Sequence, residues 1–447
     1  MSFISKYHTM KRILFLFFLI IFGISYFSCA QEEIQNPKLK ITFSERTRLT
    51  SIDNAILLNN DADIWTFTRH RTYLGLEYRP FDHFTGYAEL GNEARIWLSP
   101  ASRKPVWDEV FVHQLYLKWT HIGGIPVALK VGRQNLMFDE GFICIDAQPL
   151  TGSRSGSFNA AKVTWAINEK STLTSFISYN TFQEEFLPLL NASEPVQMLE
   201  EQTNTGVGLY YKTKVRASDL SLYYFLKNTE ENENFPVASQ IHALGARVAI
   251  PFLSRMQFTA EGAYQPGKAG DFRRNAYGGY FKLGCNLKGL LPVANQVYAG
   301  AIYLSGDDPA TETVEGWDPL WSRWPKWSES YIYTQILENT GKVAYWSNIA
   351  SLNVNFTGSL SEKVSFITSY HHLLALADNT TAFCSGNGNV RGDLLILKLN
   401  YSIDTQWSGH FLLENFTPGD FYFQGADGYN WIRFELMYKL TYSAYGK

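Results

Sequence analysis

Arginines spaced two residues apart recur near the N-terminal end of the chain: Arg46 and Arg48 in "LKITFSERTRL", Arg69 and Arg71 in "TRHRTYLGLEYRP". In an extended strand that spacing puts both members of a pair on one face, because successive side chains point to opposite sides. A guanidinium is a permanently charged planar fork that grips a carboxylate at two points. Two such pairs on adjacent strands would therefore make a surface for carboxylates. The same alternation turns Arg95, Lys130, Lys162, Arg247, Arg433 and Lys439 to that face, with Lys40, Arg79, Lys118, Lys212, Lys227, Lys282 and Lys398 beside them. The acids that share the face are fewer: Glu77, Glu89, Glu93, Glu261, Glu414 and Glu435.

The strands that carry these charges have an apolar side and a charged side. In "NWIRFELMYKL" Ile432, Phe434, Leu436, Tyr438 and Leu440 oppose Arg433, Glu435, Met437 and Lys439. "DLSLYYFLKN" behaves likewise, with Leu220, Leu222, Tyr224 and Leu226 on one side. Read this way, the chain predicts about eighteen strands, an even number as single-chain bacterial barrels use. Short connections, such as those at Pro80, His121, Ile167, Arg216 and Ile403, alternate with long polar ones, such as 51–64, 136–156, 183–202 and 306–346. Two-sided alternation of this kind predicts an all-β, single-chain transmembrane antiparallel barrel with short periplasmic turns and long extracellular loops. The apolar faces then meet lipid, and the basic residues line a lumen that is net positive although the chain has a formal charge of -3. Such a lumen concentrates anions.

At the N-terminus, Lys6, Lys11 and Arg12 precede the apolar run "ILFLFFLIIFGISYF", which is too short to cross a bilayer as a helix and fits a secretory signal ending at "SCA". The expected layout is a cleaved signal peptide over 1–30 and an outer-membrane barrel over 31–447, with 306–346 as its longest extracellular loop. Met10 is an alternative start, and acylation of Cys29 is the rival reading of the signal. The remaining Cys144, Cys285 and Cys384 are an odd set that no disulfide framework uses.

Catalysis has no constellation to rest on. His70, His113 and His242 fall at scattered positions, and the neighbours His371 and His372 cannot place both rings on one face. A nucleophile elbow, a phosphate-cradling glycine loop and a metal-ligand set are absent from the sequence. The expectation is a pore without enzymatic activity, cofactor or bound nucleic acid. The tryptophans from Trp317 to Trp327 read as an interfacial belt or loop core rather than as a sugar platform.

"LKVGRQNLMFDEG" (129–141) breaks the pattern, because strict alternation sends Arg133 towards lipid. A bulge at Gly132 would aim Arg133 into the pore instead.

"TRHRTYLGLEYRP", "LKVGRQNLMFDEGF", "SRSGSFNAAKVTW", "YLSGDDP", "WDPLW", "HFLLENFTPGDFY" and "NWIRFELMYKL" run in order along the mature chain. Together they resemble the alginate export porins of Gram-negative outer membranes. The resemblance implies an eighteen-stranded monomeric barrel with an arginine-lined constriction that exports a polyuronate. On matching positions the constriction would hold Arg69, Arg71, Arg133, Arg154 and Arg433, with Lys40, Arg46 and Arg48. It further implies loop gates and a periplasmic tetratricopeptide-repeat scaffold lipoprotein as partner, besides anionic polysaccharide or small anions and outer-membrane lipid. The alternative function is a general or small-anion uptake porin; an outer-membrane hydrolase or adhesin is the third class.

Overall fold

A computed structural model describes residues 38–59, 64–107, 110–145, 157–190, 198–322, 327–338 and 346–443. The expected signal peptide therefore lies outside the described residues. One sheet of 20 strands contains nearly all the secondary structure. Two of its members, Val106–Trp107 and Leu189–Leu190, are two-residue pieces laid on the edge of the wall. The others make a closed antiparallel barrel of 18 strands.

In chain order these are β1 (Lys38–Asp53), β2 (Trp65–Phe81), β3 (Phe84–Ser99), β4 (Val110–Trp119), β5 (Val127–Gln134), β6 (Phe158–Asn168), β7 (Ser171–Asn180), β8 (Asn204–Val215) and β9 (Ser218–Thr229). They continue as β10 (Ser239–Phe252), β11 (Met256–Ala269), β12 (Phe272–Asn286), β13 (Ala294–Leu304), β14 (Ile349–Ser359), β15 (Val364–Leu374), β16 (Val390–Ser402), β17 (Trp407–Pro418) and β18 (Tyr429–Ser443). Each pairs with the next, and β1 closes on β18 from Lys40 opposite Ser443 to Asp53 opposite Asn430. A helix, α1 (Tyr331–Glu338), lies in the long connection between β13 and β14.

Burial reports which solvent each face meets. Leu352 is 61% exposed on the outer face, whereas Arg46 on the inner face is 1% exposed. A water-soluble protein would reverse that order; a barrel in hydrocarbon requires it. The β1 and β18 ends and the short turns share one end of the barrel, here the turn end; the long loops share the other. One connection departs from the predicted alternation. β11 and β12, expected to stop at 265 and resume at 275, run on to Ala269 and Phe272, joined by a tight turn in which Gly270 takes φ 58°.

Two loops fold back and fill the interior. The segment after β5 buries Leu136, Phe142, Ile143 and Cys144, and the β13–β14 loop buries Trp317, Leu320, Trp321, Tyr331 and Trp346. They meet where Phe142 stacks on Trp317 at 5.1 Å and the Trp321 N–H donates to the Ile143 carbonyl at 3.1 Å. Trp317, Trp321 and Trp346 are thus loop core rather than an interfacial belt.

Gly132 differs from expectation. Tyr116 opposes Gly132 and Leu115 opposes Arg133 in unbroken register, and the β6 side is equally regular, so there is no bulge. Gly132 is instead held at φ 122°, with the β4 backbone so close that a Cβ would lie 2.2 Å from the Leu115 carbonyl oxygen. The device expected there occurs at Gly392, φ 136°: Leu373 opposes Gly392 and Leu374 opposes Val390, leaving Arg391 as the extra residue, turned inward. Gly132→Ala should destabilise the barrel by about 1–3 kcal/mol, because the conformation is one that L-residues avoid and the partner is backbone that cannot yield. A lowered urea midpoint for unfolding from lipid vesicles would register it, and an unchanged midpoint would contradict it.

Candidate functional site: the basic inner wall

The inner faces of β18, β1, β2 and β3 carry two adjacent rows of charge. In one, Glu435, Arg48, Arg69 and Arg95 are successive cross-strand neighbours; in the other, Met437, Arg46, Arg71 and Glu93 are. Arg433 lies next to the first row, opposite Thr50. Like charges directly opposite one another destabilise a sheet. Here Arg46 faces Arg71, and Arg48 and Arg95 both face Arg69.

Several contacts offset the repulsion. Arg48 Nε donates to Glu435 at 2.5 Å, and His410 Nδ1 lies 3.0 Å from the other oxygen of that carboxylate. Guanidinium groups also lie on aromatic faces: Arg71 is 4.8 Å from the Tyr73 ring centre, and Arg95 is 5.1 Å from that of Phe67 and 5.6 Å from that of Trp97. Such placements favour the cation. Arg46, Arg48, Arg69, Arg71 and Arg433 are all buried, and Arg95 is half-buried.

A second basic row lies nearer the turn end. Lys118, Lys130 and Lys162 are neighbours across β4, β5 and β6, and Lys130 Nζ sits 3.6 Å from the centre of the Tyr116 ring. Lys439 shares the inner face of β18 with Arg433 and Glu435 and is exposed close to the turn-end mouth.

Other residues predicted for this face do different work. Arg247 donates to Glu140 at 2.8 Å; Lys282 reaches the same carboxylate at 2.8 Å, and Lys212 is paired with Asp139. Asp139 also accepts from Ser221 Oγ at 2.6 Å and from Tyr210 Oη at 2.5 Å. Burial opposes ionisation of Asp139, but these donors outweigh it and hold the carboxyl below its usual range. The wall from β8 to β12 thus spends its cations on anchoring the inner loop.

Arg133 is not turned into the lumen. It keeps to the face of its cross-strand neighbours Leu115 and Asn159, donating to Asn159 at 2.9 Å and the Val112 carbonyl at 3.1 Å. Glu184 then receives it at two points, 2.5 and 2.9 Å. The loop bearing Glu184 also pairs Leu189 and Leu190 with Phe111 and Val110 of β4, so it covers the wall where β5 has ended. Arg154 lies outside the described residues.

Sequence reasoning missed the partners that the long loop brings. Glu329 forms a two-point pair with Arg433, and the backbone N–H groups of Glu329 and Ser330 both donate to Glu414 at 3.0 Å. At the end of α1, Glu338 accepts from Arg391 at 2.5 Å and from Tyr422 Oη at 3.0 Å. On the opposite wall Lys227 donates to the Leu320 carbonyl at 2.8 Å, and Gln265 exchanges hydrogen bonds with Asp318 at 2.5 and 3.0 Å. The loop is therefore tied to the barrel on both sides. For Arg391 the signal was present as the following glycine; for Glu329 nothing local marks it.

Burial alone would raise the Glu329 carboxyl, but Arg433, with help from Arg48, pulls it from 4.5 down to about 2. A folded value below the unfolded one adds stability that is complete above about pH 4.5, declines as pH falls and is gone below about pH 2. Glu329→Gln should weaken loop docking at neutral pH by about 3–5 kcal/mol, the usual effect of breaking a buried pair. It should also remove this segment of the pH dependence, followed through the fluorescence of Trp327 and Trp346; an unaltered acid profile would contradict the assignment.

No curated protein matches the sequence. The same fold occurs in solved structures that include OccAB4 of Acinetobacter baumannii, 12% identical with TM-score 0.59, the alignment covering 92% of this chain and 100% of that one. It occurs in the outer membrane protein OpdK of Pseudomonas aeruginosa, 11% identical with TM-score 0.58, covering 90% and 99%. OccK2 (OpdF) of the same organism, in complex with glucuronate, is 10% identical with TM-score 0.57, covering 90% and 98%. At these identities the likeness is one of fold. The sequence itself matches the family described as alginate export over residues 82–432. The chain therefore belongs to the alginate export family, and it is a β-barrel porin of the bacterial outer membrane.

Proposed function

We propose that the barrel is a passive, anion-selective pore for an acidic saccharide, a polyuronate such as alginate, with its direction of transport set by partners because a pore has no energy source of its own. The observation that carries this reading is the in-register set of arginines on β1, β2 and β3. Cross-strand arginine neighbours are unfavourable in a protein that needs only a stable wall. Carboxylates passing along the face would relieve that repulsion, and the planar forks suit two-point contact. Arg46, Arg48, Arg69, Arg71 and Arg95 are the proposed conducting contacts, while Arg433, paired at two points with Glu329, holds the long loop beside them. Lys130 and Lys162 extend them towards the turn end, and Lys439 stands at that mouth. Arg247 and Arg133 are assigned to holding loops and Arg154 to the same path as the arginines. The family supports the reading, as does the glucuronate bound to OccK2, a uronate in a barrel of the same fold.

A second reading, conduction of small carboxylates inward, is favoured by one feature: a long loop fastened to both sides of the interior leaves less room for a polymer. Length of the anion separates the two. In planar bilayers, block of single-channel current should strengthen from glucuronate to oligouronates if several contacts act along one chain; equal block by monomer and oligomer would favour the small-anion pore. Arg46→Gln with Arg71→Gln should lower the anion-to-cation permeability ratio and weaken oligouronate block by about tenfold, or about 1.4 kcal/mol. Undiminished block in that variant would overturn the assignment of the arginines.

A further inference from the structure

Towards the loop end of the arginine face, cations and rings alternate. β2 and β3 set Trp65, Phe67 and Trp97 on the lumen side, with Trp65 opposite Ile52 and Phe67 opposite Trp97. The Arg69 guanidinium lies 5.8 Å from the Phe67 ring centre, and Arg95 reaches both Phe67 and Trp97. Arg103, on the loop between β3 and β4, extends the series to the mouth. It lies 4.1 Å from the Trp65 ring centre and 4.5 Å from that of Trp97, and the two indoles meet edge to face at 5.8 Å. Strand alternation gives no sign of this residue, because it is not on a strand.

The seat of Arg103 leaves its hydrogen-bonding edge unused. A guanidinium lies against a ring with its flat face, while its five N–H donors point outwards in the plane. Among the described residues none pairs with the Arg103 side chain or accepts a hydrogen bond from it, and the side chain is exposed. Its backbone N–H donates to the Pro100 carbonyl at 3.1 Å, which closes the turn that carries it. Ordering a long side chain is part of the cost of binding, and here two rings and a turn have ordered it in advance. Trp65 and Trp97 are only half-buried, so aromatic surface and unpaired donors occur together.

We propose that Arg103, seated on Trp65 and Trp97, is a carboxylate subsite at the loop-end mouth that holds one uronate unit of the saccharide. The inference rests on the acidic-saccharide reading of the pore and adds a place where the chain is held beyond the arginine rows. A uronate carries a carboxylate and, on its ring, a face of C–H groups. The first suits the planar fork and the second the indole surface. Lys104, next in the chain and also exposed, has no ring contact among the described residues. It is a point charge on a free stem, with neither feature of the subsite.

Dwell times of oligouronate block in planar bilayers test the subsite, with Arg103→Gln set beside Lys104→Gln. Arg103→Gln should shorten the dwell by about fivefold, or about 1 kcal/mol, and Lys104→Gln should leave it within about a factor of 1.5. Arg103→Lys keeps the charge without the fork, and its dwell should resemble that of Arg103→Gln. Open-channel conductance reports that each variant has assembled. Equal shortening in the Arg103→Gln and Lys104→Gln barrels, or none in either, would overturn the subsite and leave the pore reading standing. A native barrel that oligouronate does not block at all would overturn both.

Discussion

A strand in hydrocarbon finds no water for its N–H and C=O groups, so every one must be bonded to a neighbouring strand. The pairing of β1 with β18 meets that requirement by removing the sheet's last two edges. Once the ring is closed there is an inside and an outside, and the two-residue period of a strand divides the side chains between them. The burial of Arg46 and the exposure of Leu352 both follow from this single constraint.

Closure also sets the charge problem that the loops resolve. An interior lined with arginine and lysine repels itself, and the acids that balance it come largely from connections rather than from the wall. Asp139 and Glu140 serve the side from β8 to β12, and Glu329 and Glu338 serve the side from β16 to β18. The face of β1, β2 and β3 also holds acids of the wall itself, Glu435 beside Arg48 and Glu93 opposite Arg71. The basic character of the wall and the route of the loops are therefore one arrangement.

The wall was legible because two solvents impose a strict alternation, and strands such as β9 and β18 obey it residue by residue. Arg133 shows where that legibility stops. Alternation sends it outward, and outward it goes; what could not be read is Glu184, on a loop 51 residues away, which makes the charge tolerable there. Arg391 is the opposite case, an outward position by parity that a bulge at Gly392 turns inward. The acids of "FDEG" look like those of any solvated turn, and only the return of that loop into the barrel makes them partners of Lys212, Arg247 and Lys282. Local pattern determines which face a strand residue takes, whereas contacts of loops depend on a path that local pattern does not encode.

The β13–β14 loop reaches Lys227 and Gln265 on one side of the barrel and Arg433, Glu414 and Arg391 on the other. A thin-walled cylinder yields most readily by flattening into an ellipse, since bending its wall takes far less force than stretching it. A tie across the diameter acts as a spoke does in a wheel, and it opposes that flattening along its own direction. Lateral pressure from the bilayer would then be carried by ion pairs in the middle of the barrel, leaving the spacing of the arginine rows on β1, β2 and β3 undisturbed.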